Sequence, residues 1–218
     1  GPMLYLARTL LILGYPEQGY RRCRQGLETA EKTRQPFAIA LALANTCVYY
    51  HLCKDWLALR RDSERLIALA SEKAMPAMLN KGQGFRAAAL IAEGNAPEGL
   101  ETLKSCYEHD VNAGYLVMMP YYESILAEAY LSSGNVEDAR RVLDDAFERA
   151  TLTGERWFDA ELYRLKGGLT SQSSTQSLES RVKEAEECFH KAIEVARRQQ
   201  AKSLELRAVM SLSRLWRQ

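Results

Sequence analysis

The 218-residue sequence has no CxxC pair among its five cysteines, no GxxxxGK[ST] or GxGxxG stretch, and no long uninterrupted apolar run. Each absence excludes something. Odd, widely spaced cysteines (Cys23, Cys47, Cys53, Cys106 and Cys188) indicate neither a disulfide framework nor a structural zinc site, and suit a reducing cytoplasm. Without a glycine-rich loop there is nothing to cradle a nucleotide phosphate, so no cofactor is expected. A bilayer span takes roughly 20 apolar residues in a row, so no membrane partner is expected either. Charge of one sign is also missing. Twenty-nine basic and 28 acidic residues leave a net +1, which disfavours nucleic acid as a partner. Only nine basic residues against five acidic ones from Arg181 onward depart from that balance, and Trp216 is the sole aromatic there except Phe189. Three histidines (His51, His109 and His190) stand far apart. His51 with Cys53, or Cys106 with His109, supplies two metal ligands where about four are needed. No GxSxG elbow or paired carboxylates stand out, so no catalytic or metal-binding residue is assigned and an enzyme is not expected.

What is present is a repeat. Small residues stand at Ala7, Cys47, Ala87, Ala127 and Gly167, each forty residues after the last. A second series, Gly19, Leu59, Gly99 and Ala139, keeps that step and resumes at Ala185 after a six-residue slip. A larger apolar series runs through Leu10, Tyr50, Leu90 and Tyr130, with Trp216 in the sixth unit. Turn residues fall between the series: Gly14-Tyr15, Lys54-Asp55, Gly94-Asn95 and Gly134-Asn135. Apolar residues recur at helical spacing on both sides of each turn, as in Ile125, Leu126, Ala129 and Tyr130, then Val136, Ala139, Val142, Leu143 and Ala146. The spacing predicts five and a half helix hairpins, an all-α solenoid with repeats of about 40 residues. Asp55 and Asn135 are placed to cap second helices, and Pro36 and Pro76 to open first helices. Glu137 with Arg141, and Asp145 with Arg149, are spaced as surface ion pairs. Gly1-Pro2-Met3 reads as the remnant of a cleaved tag, and residues 4–218 as one repeat domain. A polar, flexible insertion at 171–180 accounts for the slip.

The fourth unit, Leu126-Ala127, Tyr130, Gly134-Asn135, Ala139, Leu143 and Ala146, resembles a tetratricopeptide repeat. The fifth supplies Gly167, Ala185, Phe189 and Ala192 at the matching points. The second departs most, with Leu59 and Ser63 at positions that usually hold a small and a bulky residue. Armadillo and HEAT repeats share the forty-residue length and stay as alternatives. Thr153 to Trp157, Ala160 to Gly167, and Ala185 to Phe189 running into Ala196 to Ser203 and Leu206-Arg207-Ala208 are similar to the C-terminal repeats of large bacterial signalling proteins. In that family an adenylate/guanylate cyclase-like or DNA-binding domain and an ATPase domain come before the repeats. The resemblance implies a regulatory module for a protein or peptide, or for other domains of the same polypeptide.

Tetratricopeptide arrays bind mainly along the first helix of each pair. The register places Arg8, Val48, His51, Lys81, Tyr121, Glu128, Glu161, Arg164, Arg207 and Arg214 on a concave groove. A small-molecule sensor controlling an attached domain is the alternative, with Tyr121, Tyr122, Trp157 and Phe158 as packing surfaces for a metabolite. The last helix, with Leu204, Val209, Leu212, Leu215 and Trp216, carries more apolar surface than one neighbouring hairpin would cover. Self-association through a terminal helix is therefore expected.

Overall fold

A computed structural model describes residues 2–172 and 177–217. The described residues form eleven helices and no strand: α1 (Pro2–Ile12), α2 (Pro16–Lys32), α3 (Pro36–Cys53), α4 (Trp56–Glu72), α5 (Pro76–Ala92), α6 (Ala96–Asn112), α7 (Met119–Ser132), α8 (Val136–Thr153), α9 (Asp159–Gln172), α10 (Leu178–Arg198) and α11 (Lys202–Leu215). They fall into two compact units, Gly1–Asp110 and Val111–Gln218. Within each unit a helix packs against its hairpin partner, and successive first helices also touch, α1 on α3 on α5 in one unit and α7 on α9 on α11 in the other.

The forty-residue step is visible in the second helices, which open at Pro16, Trp56, Ala96 and Val136. Two turns per repeat also share one backbone conformation. Gly14, Lys54, Gly94 and Gly134 close the hairpins, and Arg34, Ala74, Gly114 and Gly154 link one hairpin to the next. All eight have φ between +51° and +99°. A left-handed residue thus recurs every twenty residues from Gly14 to Gly154, twice as often as the turn glycines suggest. A side chain at such a φ clashes with its own backbone, which favours glycine. Arg34, Lys54 and Ala74 bear that cost in the first unit. Pro36 and Pro76 open α3 and α5, and the Asp55 carboxylate accepts from Ala58 N–H at 3.1 Å. Asn135, in contrast, makes no side-chain cap. Glu137 and Arg141 pair not with each other but with Arg140 and Asp138.

Ala7, Cys47, Ala87 and Ala127 are all fully buried, and Gly167 is buried as well. The two small-residue series meet across the hairpin. A Cβ added to Gly19 would lie 2.7 Å from the Ala7 carbonyl oxygen, and one on Gly99 would lie 2.8 Å from that of Ala87. Only a bare Cα allows the backbones that close. Around these contacts, fully buried Leu43, Leu59, Leu66, Phe85, Leu126 and Leu143 supply the apolar core, each contributing about 1.5–3 kcal/mol.

Two expectations change on the structure. By length and composition α3, at 18 residues, is apolar enough to cross a membrane, contrary to the sequence reading. Its apolarity has a packing cause: α1, α2, α4 and α5 all contact it, and ten of its residues are buried. The polar stretch at 171–180 is partly helical, since α9 runs to Gln172 and α10 starts at Leu178 behind a Ser177 cap. Residues 173–176 lie outside the described residues.

Candidate functional site

Six of the ten positions expected on a groove keep some surface, and four do not. Val48, His51, Tyr121 and Glu161 are buried. First helices contact a hairpin partner and neighbouring first helices, which leaves them a narrower free face than the repeat register suggested. His51 packs edge-on against Trp56, with ring centroids 5.8 Å apart. In the same unit the Arg8 guanidinium lies 5.5 Å from the centre of the Tyr5 ring. Lys81 is half-buried on α5, where burial pulls its ammonium below the usual lysine range against the pull of Asp110.

The second unit gathers four of the expected residues into one cluster. Glu128 comes from α7, Glu161 and Arg164 from α9, and Arg207 from α11, so it crosses three successive first helices. Arg164 donates to Glu161 Oε1 through Nε at 2.9 Å and through Nη2 at 2.7 Å. Arg207 Nη2 donates to the same oxygen at 2.7 Å. Glu128 stands 3.3 Å from Arg164 and 3.8 Å from Arg207. Burial alone would raise the Glu161 carboxyl, but the two guanidiniums outweigh it and hold the group below the usual carboxylate range. Its second oxygen, Oε2, is buried without a hydrogen-bond partner among the described residues. Two cations and two carboxylates cancel, so the cluster is a neutral polar floor. Arg214, about two turns further along α11, is exposed.

The aromatic residues considered for a metabolite pack on one another instead. The Tyr121 ring lies 5.3 Å from Tyr122, 5.7 Å from Trp157 and 5.3 Å from Phe158, and both Tyr121 and Phe158 are buried. Glu155 ties this core together, accepting from Met118 N–H at 2.8 Å and from the Trp157 indole N–H at 3.0 Å. Sequence reasoning missed four further buried carboxylates, Asp62, Asp110, Glu123 and Asp159. Asp62 on α4 accepts from the Thr46 hydroxyl and from Arg61 Nε, each at 2.9 Å. Glu123 on α7 accepts from Arg149 Nε at 2.6 Å. A signal existed for Asp62: it shares the apolar stripe of Ala58, Leu59 and Leu66, where an unpaired acid would be costly. Among the described residues no three His, Cys, Asp or Glu side chains gather as metal ligands.

Residues 120–145, from early α7 to the middle of α8, match the tetratricopeptide repeat family. Glu128 and the buried Ala127 lie within that stretch. The fold is a tetratricopeptide-like helical repeat. No curated protein sequence matches the chain. Among solved structures, the crystal structure of aspartyl phosphate phosphatase F from Bacillus subtilis is similar, with a TM-score of 0.55 at 9% identity over 99% of this chain. This chain spans 58% of that protein's length. At such low identity the likeness is one of fold.

Proposed function

We propose that this chain is a protein-interaction and regulatory module of a larger bacterial signalling protein, acting by binding rather than catalysis. In this reading a peptide or a domain of the same polypeptide lies in a concave groove along the first helices of the second unit and contacts the neutral floor of Glu128, Glu161, Arg164 and Arg207. The observation that carries it is that cluster, which joins three successive first helices and leaves Glu128 and Arg207 partly open to solvent. Partly exposed charges of both signs suit a partner bringing its own carboxylates and amines, which can pair with them. Five free cysteines suit a reducing cytoplasm as its setting.

The proposal extends to self-association. Leu204, Leu212 and Leu215 are covered within the chain, but Leu206, Val209 and Met210 on α11 and Trp216 at its C-cap are exposed, Trp216 at 61%. Sedimentation velocity at micromolar concentration tests this: a concentration-dependent dimer that Trp216→Glu abolishes supports it, and a monomer throughout rejects it. For the groove, peptides selected on the purified chain should bind Glu128→Lys and Arg207→Glu variants about tenfold more weakly. Equal binding to both variants, or no selectable peptide, would remove the reading.

A further inference from the structure

The first unit holds two adjoining cavities that share Tyr20 and Tyr50 as a common wall. Both lie against α2 and α3, the second also against α4, and neither is lined by a residue of the expected groove. One, of about 410 Å³, is open to solvent and has an apolar floor of Pro16, Tyr20, Tyr49 and Tyr50, with Glu17, Arg21 and Asp55 also lining it. Its shape is fixed by the Tyr49 hydroxyl, which donates to the Pro16 carbonyl at 2.7 Å. The other, of about 400 Å³, is polar, and three guanidiniums line it: Arg24, Arg61 and Arg65. Volumes of this order are those of small-molecule sites, which run roughly 300–1,000 Å³.

The arginines are anchored from below and from the rim. The fully buried Asp62 engages Arg61 Nε at 2.9 Å and stands 3.7 Å from Arg65 Nη1, and its other oxygen is taken by Thr46. Arg65 also pairs with Glu31, and Arg24 lies 3.5 Å from Glu28. Counted with Asp62, three cations meet three carboxylates, so the wall has no net charge. What it has in excess is donors. A guanidinium carries five N–H groups, and these contacts use a minority of them. Such a fork fits the paired oxygens of a carboxylate, sulfonate or phosphate.

We infer that the paired cavities along α2 bind a small organic anion, its anionic group against Arg24, Arg61 and Arg65 and its apolar body against Tyr20, Tyr49 and Tyr50. Buried Asp62 acts as a positioning residue that presents the two α4 arginines. The site is independent of the first-helix groove, so either can fail alone.

Fluorescence titration of the whole chain with 8-anilinonaphthalene-1-sulfonate, alongside its uncharged relative N-phenyl-1-naphthylamine, tests this. The sulfonate should bind saturably, and Arg24→Gln and Arg65→Gln should each raise its Kd about five- to tenfold while leaving the neutral probe unchanged. Tyr20→Ala should weaken both probes. Arg24 is exposed and its side chain is not bonded to Asp62, so Arg24→Gln remains a fair test if Arg65→Gln disturbs folding, as circular dichroism will show. Three results overturn the proposal: no saturable sulfonate binding, equal sensitivity of the two probes to the arginine changes, or loss of binding in Trp216→Ser with none in Arg24→Gln. The last would place the probe on the exposed apolar residues of α11 and its C-cap.

Discussion

Each unit buries a carboxylate under two arginines, and the two settings differ in what the arginines face. In the first unit Asp62 holds Arg61 and Arg65 at a cavity wall, with side-chain exposures of 61% and 44%. In the second, Arg164 and Arg207 are 16% and 23% exposed, and they meet a second carboxylate, Glu128. Identical chemistry therefore yields a donor-rich wall in one place and a closed neutral network in the other. The cause is helix position: Asp62 and its arginines share one second helix, α4, whereas the Glu161 cluster is shared among three first helices packed side by side.

The sharpest way to break the comparison is to remove one cation from each. Arg164→Ala leaves Glu161 buried with Arg207 alone and should cost about 3–5 kcal/mol, read from urea unfolding midpoints. Arg61→Ala should cost no more than about 1 kcal/mol, because the exposed guanidinium contributes little and Asp62 keeps Thr46 and Arg65. Similar losses for the two variants would show that the exposures mislead.

Close packing gives a second contrast. Gly99→Ala drives a methyl against the Ala87 backbone oxygen, while Gly167→Ala meets the ring of Phe189, with its nearest atom at 2.6 Å. A ring can turn more readily than a carbonyl, so the expected cost of about 1–3 kcal/mol should be larger at Gly99. Ala127→Leu should fall in the same range, since its site is fully buried.

Acid offers a gentler probe. The Glu161 carboxyl titrates below its ordinary value in the folded chain, so its contribution is present above the unfolded carboxylate pKa of about 4.3 and is lost as pH falls through the depressed folded value. Stability below pH ~4 should thus fall more steeply in the parent chain than in Glu161→Gln. Parallel slopes would mean that the cluster does not hold the proton off. The smallest effect expected is a gain: Ala74→Gly removes a side chain from φ +51° at an exposed turn and should stabilise by about 0.5–1 kcal/mol. At Gly114, already relaxed at φ +70°, Gly114→Ala should do the opposite.

Much of the fold was legible because close helix packing needs small residues, and those recur at forty. The twenty-residue turn series was not, since Arg34, Lys54 and Ala74 carry no mark of a left-handed backbone in their side chains. The register named Glu128, Glu161, Arg164 and Arg207, but not their meeting, which depends on how α7, α9 and α11 lie against each other. Tyr121 and His51 illustrate the same limit: one helix face can be solvent-facing or shared with a neighbour, and periodicity does not distinguish them. The cavity wall was missed because Arg24, Arg61 and Arg65 look like ordinary surface charges until a buried aspartate is seen beneath two of them.

The evenly spaced turns also set a rule for changing the length of this chain. From Gly14 to Gly154, a helix and its turn together occupy one fixed span of twenty residues, whichever member of the hairpin the helix is. Among the described residues the next left-handed one is Gln200, forty-six residues beyond Gly154, and it again sits in the link between two hairpins, α10 to α11. The six extra residues are thus absorbed between Gly154 and Gln200, and the turn beyond them keeps its place in the pattern. Loop grafts or reporter insertions made between α9 and α10 should leave the helices on either side in register, whereas the same addition inside a helix would rotate every later side chain about its axis.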